Sequence, residues 1–174
     1  MKQKFAALAL ALGLTLSLAA CGGGAPAGGE SPAPQNSAAP QAAGAYVFTT
    51  GDGVTVSVDE DMAQVLTDLG EAQSYFEAES CAFEGLDKTY TYPGFVITTR
   101  PDGENDYVNS IRLTDDSVST VEGVYIGSSE ADVKAAYGED GGADQGMLSY
   151  TAGGVSLNFI LEDGAVISIE YLPA

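Results

Sequence analysis

One stretch of this chain repeats itself, and the repeat limits the folds open to it. Val56-Ser57-Val58-Asp59-Glu60-Asp61-Met62-Ala63-Gln64-Val65 returns in pattern 68 positions later as Val124-Tyr125-Ile126-Gly127-Ser128-Ser129-Glu130-Ala131-Asp132-Val133. At the same offset Leu69-Gly70-Glu71 matches Tyr137-Gly138-Glu139. Each copy reads as a short strand, a capped helix and a stop. Asp59 or Asp61, and Ser128 or Ser129, are suitable N-caps, with acidic residues in the first turn to suit the helix dipole. Met62, Val65, Leu66 and Leu69 give the Met62–Leu69 helix one apolar stripe, and Ala131, Val133, Ala136 and Tyr137 do the same for Ala131–Tyr137. Gly70 and Gly138 stand where a left-handed residue would end each helix.

Strand material follows each helix. At the C-terminus Val155, Leu157, Phe159 and Leu161 alternate with Ser156, Asn158, Ile160 and Glu162. Asp163-Gly164 then turns a hairpin, and Ile167, Ile169 and Tyr171 alternate with Val166, Ser168 and Glu170. The first half is looser: Phe95, Ile97 and Thr99 precede a loop from Pro101 to Asp106, and Tyr107, Ile111 and Leu113 come after it. Residues 45–174 are the size of one domain and can bury a core without staples. The expected fold is α+β: two tandem repeats, about 45–115 and 121–174, forming one curved antiparallel sheet with helices on one face.

The run Val121-Glu122-Gly123-Val124-Tyr125-Ile126-Gly127-Ser128-Ser129, with Val133 and Tyr137-Gly138, resembles the strand, Gly-Ser/Thr, helix, Tyr-Gly element of the β-lactamase-inhibitor-protein-like fold. Small outer-membrane-assembly lipoproteins carry the same element, and the tandem copy is similar to the two-repeat inhibitor. Ser80-Cys81-Ala82-Phe83-Glu84-Gly85-Leu86-Asp87-Lys88 and Tyr92-Pro93-Gly94-Phe95 resemble uncharacterised lipoproteins of Gram-positive anaerobes. Together these motifs cover most of residues 54–171, and they imply a fold more than an activity. The secreted inhibitors are stapled by disulfides, whereas this domain has a single cysteine.

The N-terminus carries an address. Met1-Lys2-Gln3-Lys4 precedes an apolar run from Phe5 to Ala20, the pattern of a secretory signal (1–20) and too short for a comfortable membrane span. Leu18-Ala19-Ala20-Cys21 resembles the lipobox of bacterial lipoproteins, which implies cleavage before Cys21 and double acylation of its thiol, a palmitate-type membrane anchor. Two acyl chains make such an anchor durable where one does not. Residues 21–44 are Gly, Ala, Pro, Ser and Gln with one charge, Glu30, and read as a disordered tether. The expected location is the extracytoplasmic face of the cell membrane. Past the signal, four basic residues (Lys88, Arg100, Arg112, Lys134) face 25 acidic ones, a net charge of −21. That field repels nucleic acid and anionic headgroups and excludes a nucleic-acid function.

The chain has no histidine, which removes Ser-His and Cys-His nucleophile pairs and the common zinc constellations. The Gly-rich stretches lack the strand-to-helix setting of a phosphate loop. Asp102-Gly103-Glu104-Asn105-Asp106 begins like an EF-hand, but Tyr107 and Leu113 stand where the loop needs glycine and glutamate, leaving a hairpin connection. No cofactor, no metal site and no catalytic residue is expected. Cys81, alone once Cys21 is acylated, is expected to be buried as a small apolar residue.

The sheet's second face is the candidate site. If Phe95, Ile97, Ile111, Leu113, Leu157 and Ile169 face the helices, then Val96, Thr98, Arg100, Val108, Ser110, Arg112, Ile160, Val166 and Ser168 face solvent. A strand unbroken through Pro93-Gly94 adds Lys88, Tyr90 and Tyr92 to that face; a turn there resets the parity. Tyr90, Tyr92, Arg100 and Arg112 are accordingly the candidate partner-binding residues, of the types that most often anchor interfaces. The expected function is a non-enzymatic module that binds an envelope protein or peptide. The alternatives are an inhibitor-like or enzymatic effector of the cell wall, or an extracytoplasmic ion or ligand sensor.

Overall fold

The computed structural model describes residues 44–174 except 140 and 145. The signal, Cys21 and all but the last residue of the tether lie outside the described residues.

A two-stranded ribbon, β1 (Phe48–Thr49) and β2 (Thr55–Val56), leads into α1 (Met62–Leu69). Four strands follow: β3 (Ser74–Glu79), β4 (Leu86–Tyr92), β5 (Phe95–Asp102) and β6 (Asn105–Leu113). The second half brings α2 (Glu130–Tyr137), β7 (Gly142–Asp144), β8 (Met147–Ala152), β9 (Val155–Glu162) and β10 (Ala165–Pro173). The architecture is α+β. The last eight strands form one sheet in the order β3-β4-β5-β6-β10-β9-β8-β7, every neighbouring pair antiparallel.

Local chemistry explains the elements. Asp61 caps α1 by accepting from the Ala63 amide at 2.9 Å, and Ser129 caps α2 in a reciprocal box with Asp132. The Ser129 hydroxyl and backbone N–H, both donating to the Asp132 carboxylate, hold its pKa below the ordinary value. Only α2 carries acidic residues in its first turn. Gly70 and Gly138 close the helices at positive φ, 76° and 100°, each sending its N–H back to the preceding turn. The Asp163-Gly164 turn has positive φ at both residues, 51° and 79°, the backbone of a tight hairpin that matches strand twist. Asp102 and Asn105 flank the two-residue turn of the β5–β6 hairpin.

Hydrogen bonds around the first helix recur around the second. Thr50 bonds Val54 through N–H and Oγ1 as Thr120 bonds Val124. Asp59 and Glu60 clasp Val108 by two backbone bonds of 2.8 and 2.9 Å; Gly127 and Ser128 clasp Val166 by two of 2.8 Å. The Tyr92 hydroxyl donates to the Gly70 carbonyl at 3.1 Å, and that of Tyr150 to the Gly138 carbonyl at 2.8 Å.

One core cluster unites Met62 and Val65 of α1, Val133 of α2 and the inward residues of the sheet, among them Ile97, Ile111, Leu113, Leu157, Phe159, Ile169 and Tyr171. Burial drives this packing at roughly 25 cal/mol per Å² of apolar surface. Two sequence expectations fail here. Val108 and Val166 are buried, not solvent-facing, at 0% and 1% exposure. The register shifts at Thr98/Thr99 opposite β6 and at Val166/Ser168 in β10, so Asn109 and Ile167 are extra residues that reverse the alternation. Cys81 is exposed rather than buried, in the loop between β3 and β4 whose residues Ala82, Phe83, Glu84 and Gly85 are exposed as well.

Candidate functional site

Register fixes which side chains share the sheet face opposite the core. Cross-strand partners lie on the same face, so Thr91, Val96, Arg112, Glu170, Asn158 and Ser149 form one row across six strands. Beside it runs a second row, Thr89, Thr98, Ser110 and, beyond β6, Ser156. Hydroxyls and an amide stitch these rows: Thr98 to Ser110 at 2.8 Å, and Ser149 to Asn158 at 2.6 Å and to Ser156 at 3.1 Å. Small polar groups predominate on this face, with Ile160 and Phe76 exposed at opposite sides of it, but Val96 and Ser110, expected to face solvent, are buried there at 9% and 5% exposure.

Arg112 stands near the middle, on β6 against β10, and is exposed. Three of the four cations beyond the tether have a carboxylate partner: Lys88 with Asp106 at 2.6 Å, Arg100 with Asp59 at 3.0 Å and Lys134 with Glu130 at 2.7 Å. Arg112 has none within 4.0 Å among the described residues, although Glu170 is its register partner.

Two of the four residues expected on this face are elsewhere. Tyr90 and Tyr92 are buried, 9% and 6% exposed, and point into the core. Pro93-Gly94 is a tight turn that pairs Tyr92 with Phe95 and Tyr90 with Ile97, both core residues, so the parity resets. Burial raises both phenol pKa values. Lys88 shares the side of Tyr90, and its hydrogen bond to Asp106 raises its ammonium pKa. Arg100 does lie on the open face, 5.4 Å over the Tyr107 ring, but not beside Arg112. Arg112 pairs with Val96, four residues along β5 from Arg100, a separation of about 13 Å at 3.3 Å per residue.

Two clefts among the described residues lie away from this face. One open cleft of 420 Å³ runs between the Thr50–Val54 turn, the end of α1 and Pro93, with Asp52, Asp68, Glu71 and Tyr92 in its wall. Its carboxylates are solvated, and no nucleophile with a partnered base stands among them. Sequence reasoning missed a second surface, the β3 edge with Tyr75 and Phe76. All six of its residues are exposed, so it shows no burial alternation to read. No protein-family model, curated protein or solved structure matches the chain.

Proposed function

We propose that this chain is a lipid-anchored extracytoplasmic protein, held through Cys21, whose folded domain is a non-enzymatic module binding an envelope protein or peptide on the open face of its sheet. The reading rests on Arg112. In a domain where acids outnumber bases six to one (24 against four over residues 44–174), an exposed guanidinium without a carboxylate partner among the described residues is a vacant donor fork. Its cross-strand partners are Val96 and Glu170, and the Ser, Thr and Asn groups farther along the same rows supply adaptable hydrogen bonds. Such a surface suits a partner that brings a carboxylate or a row of backbone carbonyls to the middle of the sheet.

The same proposal extends to the fold's origin. The two halves are copies of one strand–helix–meander unit, both helices pack on the buried side of the sheet, and the arrangement is of the β-lactamase-inhibitor-protein-like kind. Supporting this are the paired hydrogen bonds around Thr50 and Thr120, Val108 and Val166, and Gly70 and Gly138, and the shared core of Met62, Val65 and Val133.

The test compares the full-length protein with its Arg112→Ala variant as bait for solubilised envelope proteins, followed by direct binding of the partner so identified. Loss of an exposed charge should change folding stability by about 1 kcal/mol or less, while partner affinity falls about tenfold or more. Equal affinity of the two proteins removes the open face from consideration. Metabolic labelling with a fatty acid tests the anchor: Cys21→Ala abolishes the label, and retained label places the anchor elsewhere.

A further inference from the structure

The sheet ends at β3, which among the described residues has a neighbour on one side only. The Ser80 amide donates to the Gly85 carbonyl at 3.0 Å, in phase with the register Ser74↔Thr91 through Glu79↔Leu86. Antiparallel alternation then directs the backbone groups of Ser74, Phe76 and Ala78 to β4, and those of Tyr75, Glu77 and Glu79 outward. An unpaired edge of this length is a template for another strand unless something blunts it.

The surroundings of that edge are unlike the rest of the surface. Tyr75, Phe76, Phe83 and Leu86 are 51%, 65%, 46% and 37% exposed, half of the large hydrophobic side chains exposed among the described residues. Glu77, Glu79, Glu84 and Asp87 belong to the same hairpin; Glu77 accepts from the Tyr75 hydroxyl and stands opposite Lys88, whose ammonium is held by Asp106 at 2.6 Å. This hairpin is also longer than its counterpart. Both Tyr92 and Tyr150 bond the glycine that ends a helix, yet 22 positions separate Tyr92 from Gly70 and only 12 separate Tyr150 from Gly138. The ten additional residues extend an exposed edge and add nothing to the core.

We propose that β3 accepts an extended basic segment of another protein as a ninth, antiparallel strand. The chemistry of the partner follows from the alternation. Side chains opposite Glu77 and Glu79 are Lys or Arg, and those opposite Phe76 and Ala78 are apolar, so the segment alternates basic and apolar residues. A second copy of this chain is the wrong occupant. It would set the Glu77 and Glu79 carboxylates of two strands, and two domains of 24 acids and four bases, against each other. The edge is separate from Arg112, so its failure and that of the open face are read apart.

The probe is a labelled hexapeptide of alternating lysine and valine, titrated by fluorescence anisotropy with the full-length protein in detergent. It should bind, while the same peptide with a central proline, or with glutamate in place of lysine, binds about tenfold weaker or less. In antiparallel pairing the lysine amides face β3, so N-methylation there abolishes binding and N-methylation of the valine amides does not. Glu77→Pro removes an outward N–H and spares the β3–β4 ladder; it should weaken binding about tenfold relative to Glu77→Gln, which loses the same charge. Equal binding of the proline peptide, insensitivity to lysine N-methylation, or absence of binding overturns the proposal. So does a dimer of the full chain in sedimentation that Glu77→Pro dissociates. The N-methylated peptides give the answer on wild-type protein should Glu77→Pro fail to fold.

Discussion

Gly153→Ala should unfold the domain more easily than Gly164→Ala, although both glycines sit in two-residue hairpin turns at positive φ, 58° and 79°. At Gly164 nothing lies within 4 Å of an added Cβ, so the variant incurs only the cost of a left-handed conformation, about 1 kcal/mol. At Gly153 the added Cβ would lie 2.4 Å from the Cα of Ala45 and 2.5 Å from its nitrogen. Backbone cannot yield as a side-chain tip does, so the segment around Ala45 must lift from the β8–β9 turn. Tyr46 goes with it, losing its packing on the core and its edge-to-face contact with Tyr137 at 5.7 Å. A half-buried tyrosine covers on the order of 100 Å², worth about 2 kcal/mol at the usual coefficient. The expected losses are therefore about 3 kcal/mol for Gly153→Ala and about 1 for Gly164→Ala. Urea unfolding of the full-length variants, followed by far-ultraviolet circular dichroism, measures both, and limited proteolysis near residues 44–47 reports whether the segment has come free. Equal losses, with that segment still protected, would refute the docking of Ala45 on Gly153.

Two further outcomes test the core. Burial raises the pKa of Tyr171, and burial with the hydrogen bond to Glu122 raises that of Tyr137, so both phenols are held neutral. Their contribution is complete below the unfolded tyrosine pKa of about 10 and is lost as pH climbs past it; phenolate absorbance and circular dichroism should change together in alkali, and phenolate formation near pH 10 in an intact fold would contradict the burial. Val108→Ala should cost roughly 2 kcal/mol, two buried methyl groups and a small cavity, whereas Val121→Ala, 62% exposed, should stay within about 0.5 kcal/mol. Equal effects in thermal melts would mean that the β6 bulge does not turn Val108 inward.

The helices, their stops and the C-terminal hairpin could be read from the chain because each has a local cause. Asp61 and Ser129 satisfy amides two and three residues away, Gly70 and Gly138 take positive φ, and Asp163-Gly164 closes a turn without help from distant residues. The candidate site was half legible. Alternation placed Arg100 and Arg112 on the open face, but the fate of Tyr90 and Tyr92 hung on Pro93-Gly94, where a turn and a continuous strand predict opposite faces. Strand β3 left no trace in periodicity, since an edge with six exposed residues buries nothing on either side. That Arg112 has no carboxylate partner among the described residues was equally invisible, because it depends on how β5, β6 and β10 lie in register.

The misplaced valines show how a local irregularity can serve the whole sheet. Where β6 passes the end of β10, the strand loses that neighbour, and the segment at Asp59 and Glu60 takes its place by bonding both backbone groups of Val108. Gly127 and Ser128 do the same for Val166 beside β10. A regular strand would turn both valines to solvent at these junctions. One inserted residue, Asn109 in β6 and Ile167 in β10, turns each valine inward, and the inserted Ile167 is left 48% exposed. Each bulge thus joins the segment that caps a helix to the strand that seats it, with a buried valine beneath the joint. The pattern of apolar residues alone places Ile167 inside and Val166 outside. The backbone bonds at Gly127 and Ser128 decide otherwise, because an unpaired pair of strand groups at the sheet's middle would cost more than the burial that one isoleucine gives up.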